Sequence, residues 1–183
     1  MALPFFTVGH STRPIEEFLA LLAESEIRVV ADVRRIPGSR AHPQYGGHAL
    51  AASLAQAGVE YVHFPSLGGR RGRQDVPPEI NAYWDNASFH NYADYALGAE
   101  FQAGLAALRE LGHGRRCAVV CAEAVWWQCH RRIITDYLIA AGETVSHILG
   151  AGKVEPATMT PAARVAPTGT LTYPVSDAIA GKP

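Results

Sequence analysis

Residues 117–132, CAVVCAEAVWWQCHRR, gather Cys121, Glu123, Trp126, Trp127, Cys129, His130 and Arg131 around one junction. Cysteine thiolates are nucleophiles and soft metal ligands, histidine is a base or a ligand, and arginine holds anions bidentately. The apolar run Cys117–Cys121 reads as a strand, and Ile134, Tyr137, Leu138 and Ala141 recur at helical spacing before a stop at Gly142. The intervening loop therefore leaves the carboxyl end of a strand and delivers Cys129, His130 and Arg131 to a helix start. Free backbone N–H groups there favour anions and thiolates.

Three chemistries compete for these residues. Cys129, beside His130 and Arg131, is a candidate thiolate nucleophile, against the plain alternative of a buried cysteine. The loop is not the compact cysteine-to-arginine cradle of a phosphatase, and seven residues separate Cys129 from Cys121. Cys121, Cys129 and His130, with His10 or His42, form a candidate zinc or iron set. Their spacing matches no standard zinc motif, and adjacent Cys129 and His130 are expected to be poor joint ligands on one helix face. A thiolate-ligated haem, walled by Trp126 and Trp127, is a subset of the same idea.

The third chemistry is anion recognition. Residues 28–73 hold seven arginines against only Asp32 and Glu60, while the whole chain has fourteen arginines and two lysines. A coding sequence rich in G and C also favours arginine and alanine, so the clustering carries the inference rather than the ratio. Arg34, Arg35, Arg40, Arg70 and Arg131, with the Gly68 and Gly69 backbone, are candidate anion holders. Asp32, Glu123 and His10 are candidate acid/base groups or arginine partners, against the alternative of a structural salt-bridge network. Trp84, Phe89, Tyr92 and Tyr95 can stack a base, or equally supply hydrophobic contacts over a sheet.

The elements that must position these residues follow from periodicity. FFTVG reads as a strand, followed by a helix with Ile15, Phe18, Leu19 and Leu22 on one face, capped by Ser11 or Thr12 with Pro14 in its first turn. A second strand begins at Ile27, a helix carries Leu50, Ser53, Leu54 and Ala57 up to Gly58, and VEYVHF is a third strand. After a polar loop and the aromatic residues 83–95, Phe101, Leu105 and Leu108 mark a helix; the Cys117 strand, the Ile134 helix and a last strand near residues 144–148 complete the series. About five strands alternating with helices predict a single three-layer α/β/α domain with a mostly parallel sheet over residues 1–150. Residues 151–183, with five of the twelve prolines, read as an extended tail that packs on the domain or is partly disordered. Within it LTYPV is a candidate edge strand.

In a parallel sheet the residues just after each strand meet at one edge. Gly9, His10 and Ser11, then Asp32, Arg34 and Arg35, then Pro65, Gly68, Gly69, Arg70 and Arg71, then Cys121 and Glu123 are expected to form one polar rim.

At 183 residues and 48% hydrophobic content the chain suits one domain, and its net charge of −1 argues against a bulk electrostatic binder of nucleic acid or membrane. Three cysteines and no signal-like run point to a reduced, cytoplasmic protein, and no apolar stretch approaches membrane-spanning length.

TVGHS from Thr7, DVRRIPGSR from Asp32, LGGRR from Leu67, YADY from Tyr92, and CAE from Cys121 followed by CHR from Cys129 resemble, in this order, the bacterial domain of unknown function 488 family. The resemblance spans residues 5–148, and the tail segments TPAARV and LTYP resemble an extension of longer members. It implies a single intracellular α/β domain with a shared site and no settled reaction. Family motifs fall on His10, Ser11, Asp32, Arg34, Pro37, Ser39, Arg40, Gly68, Gly69, Cys121, Glu123, Cys129, His130 and Arg131. Val125, Trp126 and Trp127 depart from the proline or small residue that family members often carry there.

The expected function is binding of a phosphorylated or nucleotide-like anion at the rim, by Ser11, Arg34, Arg35, Ser39, Arg40, Gly68, Gly69, Arg70, Trp126, Trp127, His130 and Arg131. Any catalysis would fall to Cys129, Glu123, His10 or Asp32. The alternatives are a metal- or haem-dependent enzyme using Cys121, Cys129 and His130, and a noncatalytic nucleic-acid-binding module.

Overall fold

Five short runs of β-branched and aromatic residues become the parallel strands of one sheet: β1 (Phe5–Gly9), β2 (Val29–Asp32), β3 (Glu60–His63), β4 (Cys117–Cys121) and β5 (Val145–Gly150). The computed structural model describes residues 2–175. A sixth strand, β6 (Lys153–Pro156), adds antiparallel to β5, so that the order is β3-β2-β4-β1-β5-β6. This extra strand comes from residues expected to be tail, and it carries the sheet past residue 150. All four of its residues are exposed, so it has no hydrophobic periodicity by which to be recognised.

The strands alternate sides, and each side meets its own helices. Phe6, Val8, Val30, Ala118, Val120 and Ile148 pack against Phe18, Leu21 and Leu22 of α1 (Ile15–Glu24) and Leu50 and Leu54 of α2 (Gly47–Gln56). Phe5, Val29, Ala31, Cys117, Val119 and Cys121 pack against α3 (Ala87–Ala96), α4 (Ala99–Gly114) and α5 (Arg131–Ala140). Both faces are therefore dry, which is why the strands read as continuous apolar runs. Gly58 and Gly142 adopt φ +73° and +87°, the left-handed backbone that ends α2 and α5 at low steric cost.

One local expectation changes. Pro14, with no side-chain hydrogen bond, occupies the N-cap of α1 in place of Ser11 or Thr12, and Ser11 itself sits in left-handed backbone at φ +51°. The aromatic residues divide between a loop, with Tyr83 and Trp84, and the helix α3, where the N–H groups of Ser88 and Phe89 donate to the Asn86 side chain.

Within the tail, β7 (Arg164–Val165) and β8 (Leu171–Thr172) form a small hairpin. It docks through Tyr173, whose buried hydroxyl donates to Asp136 Oδ2 at 2.9 Å, while Thr160 N–H donates to Asp136 Oδ1 at 2.8 Å. Residues 176–183 of the expected tail lie outside the described residues.

The topology creates a crevice. Leaving β1, the chain crosses β4 by way of α1 to reach β2; leaving β4, it crosses β1 by way of α5 to reach β5. The two crossovers lie on opposite faces, so their loops part between the carboxyl ends of β1 and β4, the usual ligand position in open α/β sheets.

Candidate functional site

Hydrogen bonds from His10 N to Cys121 O and from Ser11 N to Ala122 O, both 2.9 Å, tie the two parting loops together at the crevice. Gly9 permits this approach, because a Cβ there would collide with the Glu123 carbonyl. Beyond it opens a cavity of about 630 Å³ lined from four strand ends. β1 contributes His10, Ser11 and Thr12; the loop after β2 contributes Arg34, Arg35, Ile36, Gly38, Ser39 and His42; the loop after β3 contributes Gly69 and Arg70; and the β4 loop contributes Cys121, Ala122, Glu123, Ala124 and His130.

Behind the end of β2, Asp32 is completely buried and gathers donors. Arg34 binds it through Nε at 2.9 Å and Nη2 at 2.6 Å, the Arg34 backbone N–H donates at 3.0 Å, and the Tyr61 hydroxyl at 2.8 Å. Arg34 Nη1 donates to Tyr45 O at 2.7 Å and lies 3.3 Å from His10 Nε2. His10 stacks on Tyr45, with ring centroids 4.0 Å apart. Burial first, then the Arg34 charge, lowers the His10 pKa to about 4 against the pull of its Ser11 bond, so the ring is neutral. Its Nδ1–H then donates to Ser11 O at 2.9 Å, leaving Nε2 to accept from Arg34. Burial followed by the Asp32 charge raises the Tyr61 pKa, so this phenol stays protonated and donating. Asp32 does not line the cavity; its geometric role is to aim Arg34.

On the opposite face, behind the end of β4, Cys129 lies in extended backbone (φ −116°, ψ 147°) just ahead of α5, and His130 is the helix N-cap. Because Cys129 is outside the helix, its Sγ comes 3.7 Å from His130 Nδ1. This corrects the expectation that both lie on one helix face, since Cys129 precedes the helix. Cys129 Sγ also accepts from the Arg131 backbone N–H at 3.5 Å and from Arg131 Nε at 3.3 Å. Burial alone pushes the Cys129 thiol up, but the Cys121 hydrogen bond and the charges of His130 and Arg131 more than reverse this, setting it well below the usual thiol value. Cys121 moves the other way: its bond to Cys129 and then burial hold it well above, so one proton stays between the sulfurs on Cys121. The Glu123 carboxyl is raised by desolvation first and by the Cys129 thiolate second.

The remaining expected residues scatter. Arg131 is 1% exposed and points inward, donating to the Glu123 carbonyl rather than to the cavity. Arg40 is exposed and away from the lining. Gly68 packs against the Arg35 backbone, and Ser39, which does line the cavity, accepts the His42 N–H at 2.9 Å. Trp126 stacks on His147 at 4.3 Å, and Trp127 is 47% exposed outside the cavity. Cys117 is core, and neither His10 nor His42 joins the cysteines. The aromatic set has an unforeseen use: Tyr92 and Tyr95 donate to the carbonyls of Leu67 and Ser66 at 2.6 and 2.7 Å, holding the loop that presents Gly69 and Arg70. Tyr45 and Tyr61 were missed, since each is remote in sequence from Asp32 and Arg34 and no local pattern marks it.

The family model described as Domain of unknown function DUF488 matches residues 14–138. No curated protein and no solved structure matches the chain. Among the described residues no helix is long and apolar enough to cross a membrane.

Proposed function

This chain belongs to the DUF488 family, and from that premise we propose that its crevice binds a small phosphorylated or nucleotide-like anion. The observation that carries the reading is the charge of the lining. The cavity lining holds Arg34, Arg35 and Arg70 against one carboxylate, Glu123, while Asp32 is withdrawn behind Arg34. Guanidinium forks match phosphate and carboxylate oxygens bidentately, and a low-dielectric cleft strengthens that attraction. Arg34, held through Nε, Nη1 and Nη2 by Asp32, Tyr45 and His10, forms a fixed part of the wall, so the ligand's bidentate partners are Arg35 and Arg70. Arg35 donates to Arg70 O at 3.0 Å, and Arg70 takes φ +57°, so these two cations are set together at the mouth. Ile36, 82% exposed on the same lining, offers an apolar surface to a base or ring. The volume is in the range of roughly 300–1,000 Å³ typical of small-molecule sites.

The test uses inorganic phosphate, pyrophosphate, AMP and ADP, read by calorimetry and by shifts in melting temperature. At least one should bind and stabilise the protein, and Arg35→Ala with Arg70→Ala should weaken it by about tenfold or more, as expected for losing charge-assisted hydrogen bonds. Failure of all four to bind, or equal binding by the double variant, overturns the reading. Steep weakening with salt together with preference for long single strands would favour the nucleic-acid alternative instead.

A further inference from the structure

Three soft donor atoms converge where the cavity floor meets α5. The sulfurs of Cys121 and Cys129 and a ring nitrogen of His130 all lie within 4.8 Å of one another. Cys129 Sγ lies 3.7 Å from His130 Nδ1. In a tetrahedral zinc centre, bonds of about 2.3 Å to sulfur and 2.0 Å to nitrogen place those two ligands about 3.5 Å apart. A contraction of tenths of an ångström closes the difference.

The surroundings hold the donors in a ligating orientation. His130 Nε2 lies 3.0 Å from Val33 O and donates to it, so that in the neutral ring the lone pair falls on Nδ1, the nitrogen beside Cys129 Sγ. A ring nitrogen pinned to a backbone carbonyl is the outer-shell arrangement of metal-binding histidines. Gly69 keeps the space before Nδ1 clear, since a Cβ there would stand 2.9 Å from it. Arg131 fixes Cys129 Sγ from the protein side through its backbone N–H and Nε. Cys121 and His130 both line the cavity, so a cation bound among the three would face it.

We propose that Cys121, Cys129 and His130 bind a divalent late first-row cation, zinc foremost, with a fourth coordination position open to the cavity. The proton held on Cys121, and any on His130 Nδ1, passes to solvent as the metal bonds form, so two thiolates and a neutral imidazole balance the doubly charged ion and uptake releases acid. Three protein ligands and an open position form the coordination pattern of a reactive zinc rather than a structural one. The site stands independently of the anion reading, although an anion in the cavity would reach the fourth position.

The test is a titration of the full untagged chain, reduced and stripped with chelator, with Co²⁺ and then Zn²⁺. The expected result is about one cobalt per chain with thiolate-to-cobalt charge-transfer and tetrahedral d–d absorption, displaced by Zn²⁺. Cys121→Ser and His130→Ala should each weaken uptake at least about tenfold, while Cys117→Ala, at the far end of β4, keeps it. Circular dichroism identifies the folded variants, and the wild-type titration decides the matter if they unfold. Absence of a thiolate–cobalt band in the wild type, or its survival in both ligand variants, overturns the proposal. So does a reduced protein that takes up no metal and instead forms a Cys121–Cys129 disulfide in air. Phosphate binding is measured separately on metal-free protein, so failure of either proposal leaves the other standing.

Discussion

Two polar clusters sit at the carboxyl edge of the sheet, on its opposite faces, and they solve the problem of burial differently. In the Asp32 cluster every strong group meets its complement: the carboxylate receives Arg34 three times, counting its backbone N–H, and Tyr61 once, and Arg34 finishes on the Tyr45 carbonyl. In the Cys121 cluster two sulfurs and an imidazole nitrogen face one another, with one proton held between the sulfurs and Arg131 as the anchoring donor. A saturated cluster is a support, whereas lone pairs turned toward a common point are available to a cation. Residue types alone left Cys129 and Asp32 both as candidates for catalysis. Partner counting separates them, because an acid that accepts four hydrogen bonds and has no exposure has nothing left to offer a ligand.

The comparison breaks most readily at Asp32. Asp32→Ala leaves the nearly buried Arg34 without its counter-ion and should cost about 3–5 kcal/mol in urea denaturation. Cys121→Ala in metal-free protein should cost only about 1 kcal/mol, the ordinary price of one buried substitution. Equal losses would show that the second cluster is as much a structural support as the first.

A smaller effect sharpens the contrast through pH. The folded His10 titrates at about 4 against 6.5 for the free side chain, so between these values the unfolded chain binds more protons than the native one. The stability due to a neutral His10 is therefore complete above about pH 6.5 and is lost as the pH falls toward 4, with a slope of up to about 1.4 kcal/mol per pH unit. His147, also lowered to about 4 chiefly by burial, adds a slope of the same sign. His10→Gln should flatten the dependence measured by denaturation across this range, and an unchanged slope would mean that His10 is not held neutral.

The smallest effect is expected at Arg40, exposed and off the cavity lining. Arg40→Ala should move stability by no more than about 0.5 kcal/mol and leave phosphate binding intact, in contrast to Arg35→Ala. A loss of phosphate binding at Arg40 equal to that at Arg35 would move the anion site outward from the crevice.

Much of the frame was legible in the chain. Periodicity located the five parallel strands and the helices carrying Phe18, Leu54, Leu108 and Ile134, because helix and strand spacing is a local property. Gly58 and Gly142 announced helix ends because left-handed backbone is cheapest for glycine. Their parallel order brought His10, Arg34, Arg35, Gly69, Arg70, Cys121 and Glu123 to one cavity, as the edge rule requires. β6 was illegible, since its exposed residues pair through backbone alone. The capping of α1 was misplaced, because serine before proline suits a turn as well as a cap.

The direction in which each polar side chain turns belongs to the tertiary structure. Arg34, just past β2, and Arg131, the first residue of α5, are identical in type, yet Arg34 reaches the cavity wall while Arg131 is drawn inward by Cys129 and a carbonyl. Spacing along the chain dictates which elements form and which of their ends meet, since those depend on neighbours a few residues away. Partnerships such as Tyr61 with Asp32, Val33 with His130 and Tyr173 with Asp136 span many residues. They form because a buried polar group must find a complement wherever packing places one, and only the folded chain decides where that is.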